Sequence, residues 1–291
     1  MKEKFCDINM RSDALALVSW ADSVLTRYAD QGYVMSLRQL YYVGVTENLY
    51  TNEEASYKRL GDIITNGRMA GLLDWNGIED RGRRGHYQSY WDKTSDIIRS
   101  AADSFKINKW EKQPNHIEVV AEKSALEGIL SPICDRFEVP FHANKGYSSA
   151  SAMYVIGKRL QEREHAGKSI HVIALFDHDA SGIDMSRDLQ ERLTTFSNGA
   201  KINLHRVALN IDQVSQYNLP ENPAKLSDSR ASSYIKQFGN YSWELDSLNP
   251  SVLTALVENE IASLRDEFQW SQDLDRENAM KEEIQDIAES L

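Results

Sequence analysis

Two places in the chain put ionisable side chains where an apolar run stops. Glu122-Lys123 follows Ile117–Ala121, and Asp177-His178-Asp179 follows Ile170–Phe176. Two carboxylates one residue apart suit a hard divalent cation, because Mg²⁺ takes one or two carboxylates and fills its shell with waters and phosphate oxygens. The same Asp-x-Asp also serves as a helix cap. If Glu122 converges on the pair, three acids share one edge and repel one another unless a cation neutralises them. The expected roles follow. Glu122 and Asp177 contact Mg²⁺ (or Mn²⁺), and Asp179 shares that ion or holds a second. Such a clamp stabilises the attacking and leaving oxygens of phosphoryl transfer. Glu122 has an alternative role as general acid for the leaving oxygen. Lys123 either contacts a phosphate or offsets the local charge.

A nucleophile candidate lies far upstream, in Ser36-Leu37-Arg38-Gln39-Leu40-Tyr41-Tyr42-Val43. Leu37, Leu40, Tyr41, Val45 and Leu49 form one apolar helical stripe, which assigns Tyr41 to the core. Tyr42 is rotated off that stripe and lies four residues after Arg38, on the guanidinium's face. A phenol beside a fixed cation is placed to ionise, or to have a phosphate oriented against it. An exposed tyrosine with a packing or hydrogen-bonding role is the plainer reading.

The elements that must position these residues are legible in the hydrophobic periodicity. Helices are expected from Asp13 to Asp30, from Leu37 to about Leu49 with Ser36 as cap, and from Glu54 to Leu72. The turn Asp74-Trp75-Asn76-Gly77 and the basic Arg81-Gly82-Arg83-Arg84-Gly85 follow. Three short helices and a basic ribbon suggest a winged helix; a helical bundle with a solvated basic loop is the alternative. Lys58, Arg59, Arg68, Arg81, Arg83 and Arg84 are the candidates for contacts with DNA phosphates, and Lys123 joins them from the acidic edge. After a polar helix from Tyr90 to about Lys109 the pattern changes to α/β. Strands at 117–121, 139–143, 170–176 and 202–209 alternate with helices at 124–137, 148–164 and 183–196. With strand order 2-1-3-4, the first and third strands are neighbours and bring Glu122 to Asp177 and Asp179. The chain thus divides into a tyrosine-bearing winged-helix domain, 1–112, and a mainly parallel Rossmann-like domain with a helical extension, 113–291. A single helix from Val252 to Phe268 is expected to pack on the sheet or a partner. In the acidic tail, Met280, Ile284, Ile287 and Leu291 form a narrow stripe suited to docking or dimer contact.

The net charge of -11 is unevenly spread. Residues 1–116 hold 16 Lys+Arg against 16 Asp+Glu, whereas 258–291 hold 3 against 11. The N-terminal half can therefore present a basic face to nucleic acid while the tail repels it. The two cysteines, Cys6 and Cys134, are too few for a disulfide framework or a zinc site. No apolar run has the length of a membrane span, and a cytoplasmic setting is expected.

Glu122-Lys123 after a first strand, Gly146-Tyr147-Ser148-Ser149 before a helix and Asp177-x-Asp179-x-x-Gly182 after a third strand resemble a Toprim domain. The upstream Leu37-Arg38-Gln39-Leu40-Tyr41-Tyr42 is similar to the tyrosine segment of the topoisomerase VI A subunit family. Ser242-Trp243-Glu244-Leu245-Asp246-Ser247-Leu248 resembles that family's closing acidic-hydrophobic stretch. The resemblance spans about residues 12–265. It implies Tyr42 as the transesterifying residue, a 5′-phosphotyrosyl link, Toprim acids on Mg²⁺, double-stranded DNA as substrate and a homodimer with each tyrosine facing the other protomer's metal site. Any ATP-driven strand passage implies a separate B-type subunit with a GHKL ATPase. His178 and Ala180 depart from the family's Asp-Gly-Asp-Pro. A related defence protein implies a second outcome, a hydrolytic Toprim nuclease of mobile-element or defence type, and a non-catalytic DNA-binding assembly subunit is a third reading.

Overall fold

The computed structural model describes residues 2–78, 88–143 and 149–291. Arg81, Arg83 and Arg84, and the Gly146-Tyr147-Ser148 stretch, lie outside the described residues.

The chain begins with three helices, α1 (Ser12–Ala29), α2 (Leu37–Thr46) and α3 (Glu54–Met69). Each places its apolar stripe inward, and Val18, Ala21, Leu25, Leu40, Leu60 and Ile64 close one core. The start of α2 is set by a complete capping box. Gln39 N–H donates to Ser36 Oγ at 3.3 Å, and Ser36 N–H donates to Gln39 Oε1 at 2.7 Å. Two isolated bridges, Lys4 with Ala70 and Met35 with Ile78, are the β-pairing among the described residues of this half. The helical part of the expected N-terminal unit is present, and the basic ribbon falls outside the described residues.

Helix α4 (Thr94–Ser104) is shorter than its polar pattern suggests. Tertiary contacts override propensity after Phe105. Ile107 N–H donates to Glu277 Oε2 (3.0 Å), and the buried Lys109 ammonium binds the same carboxylate.

Strands β1 (Asn115–Ala121), β2 (Phe141–Ala143), β3 (Ser169–Leu175) and β4 (Ile202–Ala208) form one sheet in the order β2-β1-β3-β4. Every neighbouring pair is parallel, and the order is the one expected from sequence. Helices α5 (Glu127–Phe137), α6 (Ala150–His165) and α7 (Ala180–Phe196) supply the crossovers. Strand residues alternate between two cores. Ile117, Val119, Ile173 and Leu175 pack with α5, while Val120, Val172 and Ala174 pack with α6 and α7. Burying each large aliphatic side chain contributes about 1.5–3 kcal/mol, and the two-sided cover explains why β1 and β3 read as nearly continuous apolar runs.

Beyond the sheet come α8 (Ile211–Gln216), α9 (Ala231–Phe238) and a small antiparallel ribbon of β5 (Asn222–Pro223) and β6 (Tyr241–Ser242). The single helix expected at 252–268 is two, α10 (Pro250–Leu264) and α11 (Glu267–Glu289). Arg265 is extended between them, and Asp266 caps α11 by accepting from Gln269 N–H at 3.1 Å. Helix α11 docks on α4 of its own chain. Its acids bind the segment after α4, with Lys112 Nζ 2.9 Å from the buried Asp273. Among the described residues no helix is long and apolar enough to cross a membrane.

Candidate functional site at the carboxyl edge of the sheet

Strands β1 and β3 end side by side, with Ala121 in register with Leu175, so Glu122 and Asp177 emerge as neighbours. The Asp177 N–H donates to Glu122 Oε2 at 3.0 Å. Asp177 Oδ1 accepts from the Leu245 N–H (2.7 Å), and its Oδ2 lies 2.8 Å from Lys123 Nζ. Asp179 turns the chain into α7 as its N-cap, accepting from Gly182 N–H at 2.7 Å. Helix α7 therefore starts at Ala180, three residues earlier than its apolar pattern indicates.

Of the three acids expected to converge, the structure brings Glu122 and Asp177 into contact, through the Asp177 backbone. Asp177, however, is committed to Lys123 and Leu245, and Asp179 to its cap. Among the described residues, no set of three His, Cys, Asp or Glu side chains is arranged to hold a metal. Two oxygens still have no protein donor among those residues, Glu122 Oε1 and Asp179 Oδ2. One or two carboxylates completed by waters is the donor set Mg²⁺ accepts, so Glu122 and Asp179 fit a hydrated divalent ion, and Asp177 as placed does not.

The segment after β6 closes this edge. His178 and Trp243 pair in an antiparallel bridge, His178 N–H to Trp243 O at 2.9 Å and the reverse bond at 3.0 Å. The His178 ring is buried against Tyr234, Phe238 and Trp243, with Nδ1 2.8 Å from Tyr234 Oη. Burial, aided by the Arg206 charge, lowers its pKa to about 4. His178 thus has a packing role: this imidazole seats α9 and β6 on the strand end.

Behind the bridge, Glu244 and Asp246 enter the site. Neither was assigned a role from sequence; their signal was the acid-x-acid spacing in Glu244-Leu245-Asp246. Lys123 Nζ binds Glu244 and lies 3.6 Å from Asp246. Arg38 Nη2 is 2.8 Å from Glu244, and Arg38 Nε is 2.7 Å from Asp246 Oδ2. The second contact is too oblique for a hydrogen bond, and both Asp246 oxygens lack a donor. Lys123 is therefore chiefly a charge-balancing residue in this arrangement. Arg206, also missed, donates from β4 to the Asp177 carbonyl (2.7 Å) and the Gly182 carbonyl (2.7 Å) and braces the turn.

Tyr41 and Tyr42 divide as their helical positions dictate, with one correction. Tyr41 is a core hub, its hydroxyl 3.1 Å from Asn52 Oδ1 and from the Glu53 carbonyl. Tyr42 sits under Arg38, whose guanidinium carbon is 5.9 Å from the ring centre. But Tyr42 is only 5% exposed. Burial, with Glu244 adding to it, pushes the phenol up to about 12, against the pull of Arg38 and Lys123. The expected ionisation by Arg38 is outweighed, because burial, the largest effect, and the Glu244 carboxylate raise the phenol by more than Arg38 and Lys123 lower it. Two clefts meet at Tyr42, one of about 360 Å³ toward Asp246 and one of about 240 Å³ toward Asn52 and Tyr57.

The electrostatics of the edge are unbalanced. Glu122, Asp177, Asp179, Glu244 and Asp246 face Arg38, Lys123 and Arg206. Burial raises Glu122, and raises Asp177 well above the usual carboxylate range, with the neighbouring acids adding to both. Glu244 goes the other way: although burial opposes it, Lys123 and Arg38 hold it down at about 2.

The other expected DNA contacts are less uniform. Lys58 is exposed and paired with Glu54 (2.7 Å), and Arg59 is exposed and paired with Asp13 (2.6 Å). Both are free to exchange those partners for phosphate at little cost, since exposed pairs are worth about 0–1 kcal/mol. Arg68 is different. It donates to the Trp75 and Ile78 carbonyls and stacks on the Trp75 ring at 4.6 Å, so it clamps the turn after α3. Arg81, Arg83 and Arg84 are outside the described residues.

Compared with known protein families, curated proteins and solved structures, the chain matches none.

Proposed function

We propose that this protein cuts the DNA backbone by phosphoryl transfer at the carboxyl edge of its sheet, as a topoisomerase VI A-like DNA transesterase. One observation carries the reading. A continuous run of charge contacts, Arg38–Glu244–Lys123–Asp177, joins the Tyr42 helix to the strand ends that bear Glu122 and Asp179. In this reading Tyr42 Oη bonds to phosphorus and the deoxyribose 3′ oxygen leaves, taking up the proton that the phenol gives away. One phosphoester replaces another, so the cut needs no nucleotide, and the product is a 5′-phosphotyrosyl end. Arg38 and Lys123 bind and orient the phosphate. Mg²⁺ or Mn²⁺ held by Glu122 and Asp179 would supply charge neutralisation for the phosphoryl oxygens. Double-stranded DNA, a second copy of the chain and, for strand passage, a separate GHKL ATPase are the partners of this proposal.

The burial of Tyr42 and its pKa of about 12 favour a second reading, hydrolysis by water on the same scaffold with Tyr42 only contacting DNA. Supercoiled plasmid incubated with the protein and Mg²⁺ or Mn²⁺, then run with and without protease, separates the two. Protein-linked 5′ ends that vanish in Tyr42→Phe support transesterification. Free 5′-phosphates that survive that change support hydrolysis. Intact plasmid under all these conditions counts against both.

A further inference from the structure

The larger cleft beside Tyr42 is lined by a buried donor without a partner and by a buried carboxylate that has ion contacts but no hydrogen bond. Gln39 and Asp246 both line it, and they are 3% and 2% exposed. The orientation of the Gln39 amide is fixed, because Oε1 must accept from the Ser36 N–H of the capping box. Its Nε2 is therefore a true donor, and it has no partner. Neither Asp246 oxygen accepts a hydrogen bond; its Oδ2 has ion contacts to Arg38 Nε at 2.7 Å and to Lys123 Nζ at 3.6 Å. A buried polar group left unmade costs about 1–3 kcal/mol; here the Gln39 donor is left unmade, and the Asp246 oxygens keep acceptor capacity on the same cleft. Four of the other polar walls are already paired. Arg27 holds Glu47 at 3.1 Å, and Tyr28 Oη accepts from Asn249 Nδ2 at 3.0 Å. A volume of about 360 Å³ lies within the range of small-molecule sites and far exceeds the ~30 Å³ share of one water.

We infer that this cleft binds a guanine base, with Asp246 accepting from its N1–H and N2–H and Gln39 Nε2 donating to O6. The pattern selects guanine because it alone among the DNA bases offers two adjacent donors to a carboxylate beside one acceptor for an amide. Tyr28 and Tyr42 supply the aromatic walls on which an unstacked base is held. The guanine has two conceivable sources, an extrahelical nucleotide of the DNA being cut and a free guanine nucleotide. The first rests on the DNA-cutting reading; recognition of the base does not.

The test is equilibrium binding to the full chain, without metal, of guanosine, inosine, adenosine, cytidine and thymidine at up to millimolar concentration, followed by saturation-transfer NMR. Inosine lacks the N2 amino group, so it should bind about tenfold more weakly than guanosine, the loss of one good hydrogen bond. Gln39→Glu keeps the capping acceptor but replaces the free donor, and guanosine binding should disappear while thermal melting shows a folded protein. Equal binding of guanosine and inosine, or no binding of guanosine, overturns the proposal without recourse to any variant. A duplex with one unpaired guanine should displace guanosine more strongly than the same duplex with inosine. If only free guanosine monophosphate competes, the source is the nucleotide. Guanosine binding in a protein that never cuts plasmid keeps this inference and defeats the cleavage reading instead.

Discussion

Arg38 Nη2 lies 2.8 Å from Glu244 Oε2 across 206 residues of sequence, and this pair ties the tyrosine helix to the segment that closes the sheet edge. Glu244 is mostly buried and Arg38 about two-fifths exposed. Removing one partner of a fully buried pair costs several kcal/mol, and solvent screening on the Arg38 side reduces that figure. Arg38→Met should therefore lower unfolding free energy by about 1–2 kcal/mol, measured by denaturant melts. Glu244→Gln should move the Tyr42 phenol down from about 12, since the Glu244 carboxylate is one of the groups raising it. Ultraviolet difference titration reads this directly, and an unchanged phenol titration would refute the coupling.

His178 makes stability depend on acidity. Its pKa falls from 6.5 to about 4 on folding, so between those values the unfolded chain binds a proton that the native protein does not. Stability is then complete above pH 6.5 and declines as pH drops toward 4. The loss reaches up to about 3 kcal/mol at 1.36 kcal/mol per unit. Replacing the imidazole by Phe should flatten that slope. Melts at matched ionic strength across this window are the measurement.

A divalent ion that binds only the native edge should stabilise it by mass action, about 2.7 kcal/mol at a hundredfold excess over the dissociation constant. Mg²⁺ or Mn²⁺ should raise the melting temperature of the unmodified protein. Glu122→Gln and Asp179→Asn should each remove most of that rise, while Lys58→Ala should leave it intact. A metal-induced shift that persists in both carboxamide variants would move the site elsewhere.

Gly182 is in the first turn of α7, under the Asp177 carbonyl. A methyl at this position would collide with that oxygen and approach the carbonyl carbon to 2.9 Å. Both atoms are backbone, so neither can swing aside. Gly182→Ala should cost about 1–3 kcal/mol or more through overpacking and should displace Asp177 from Lys123. A variant as stable as the parent would show that the turn relaxes more freely than its Arg206 brace suggests.

Much of this site was legible in the sequence because its parts are local. The apolar runs before Glu122 and Asp177, the 2-1-3-4 order and the split between Tyr41 and Tyr42 all follow from periodicities of two and 3.6 residues. What escaped is long-range. Glu244 and Asp246 reach the edge only because Trp243 pairs with His178, and a bridge between residues 65 apart leaves no periodic trace. Arg206 reads as one more strand residue until its carbonyl partners are seen. The burial of Tyr42 depends on the same closing segment, so helical geometry found its neighbour Arg38 but not the roof above both.

The closing segment also sets what any motion of the tyrosine must overcome. Tyr33 Oη is 2.9 Å from Thr254 Oγ1, and Asn249 reaches Tyr28 from the start of α10. The unit of α1 and α2 cannot leave the strand ends without severing these ties together with both Arg38 contacts. The resting molecule is thus latched by its own acids. The agent best suited to open it is a polyanion, which offers Arg38 and Lys123 the same charge that Glu244 now gives them.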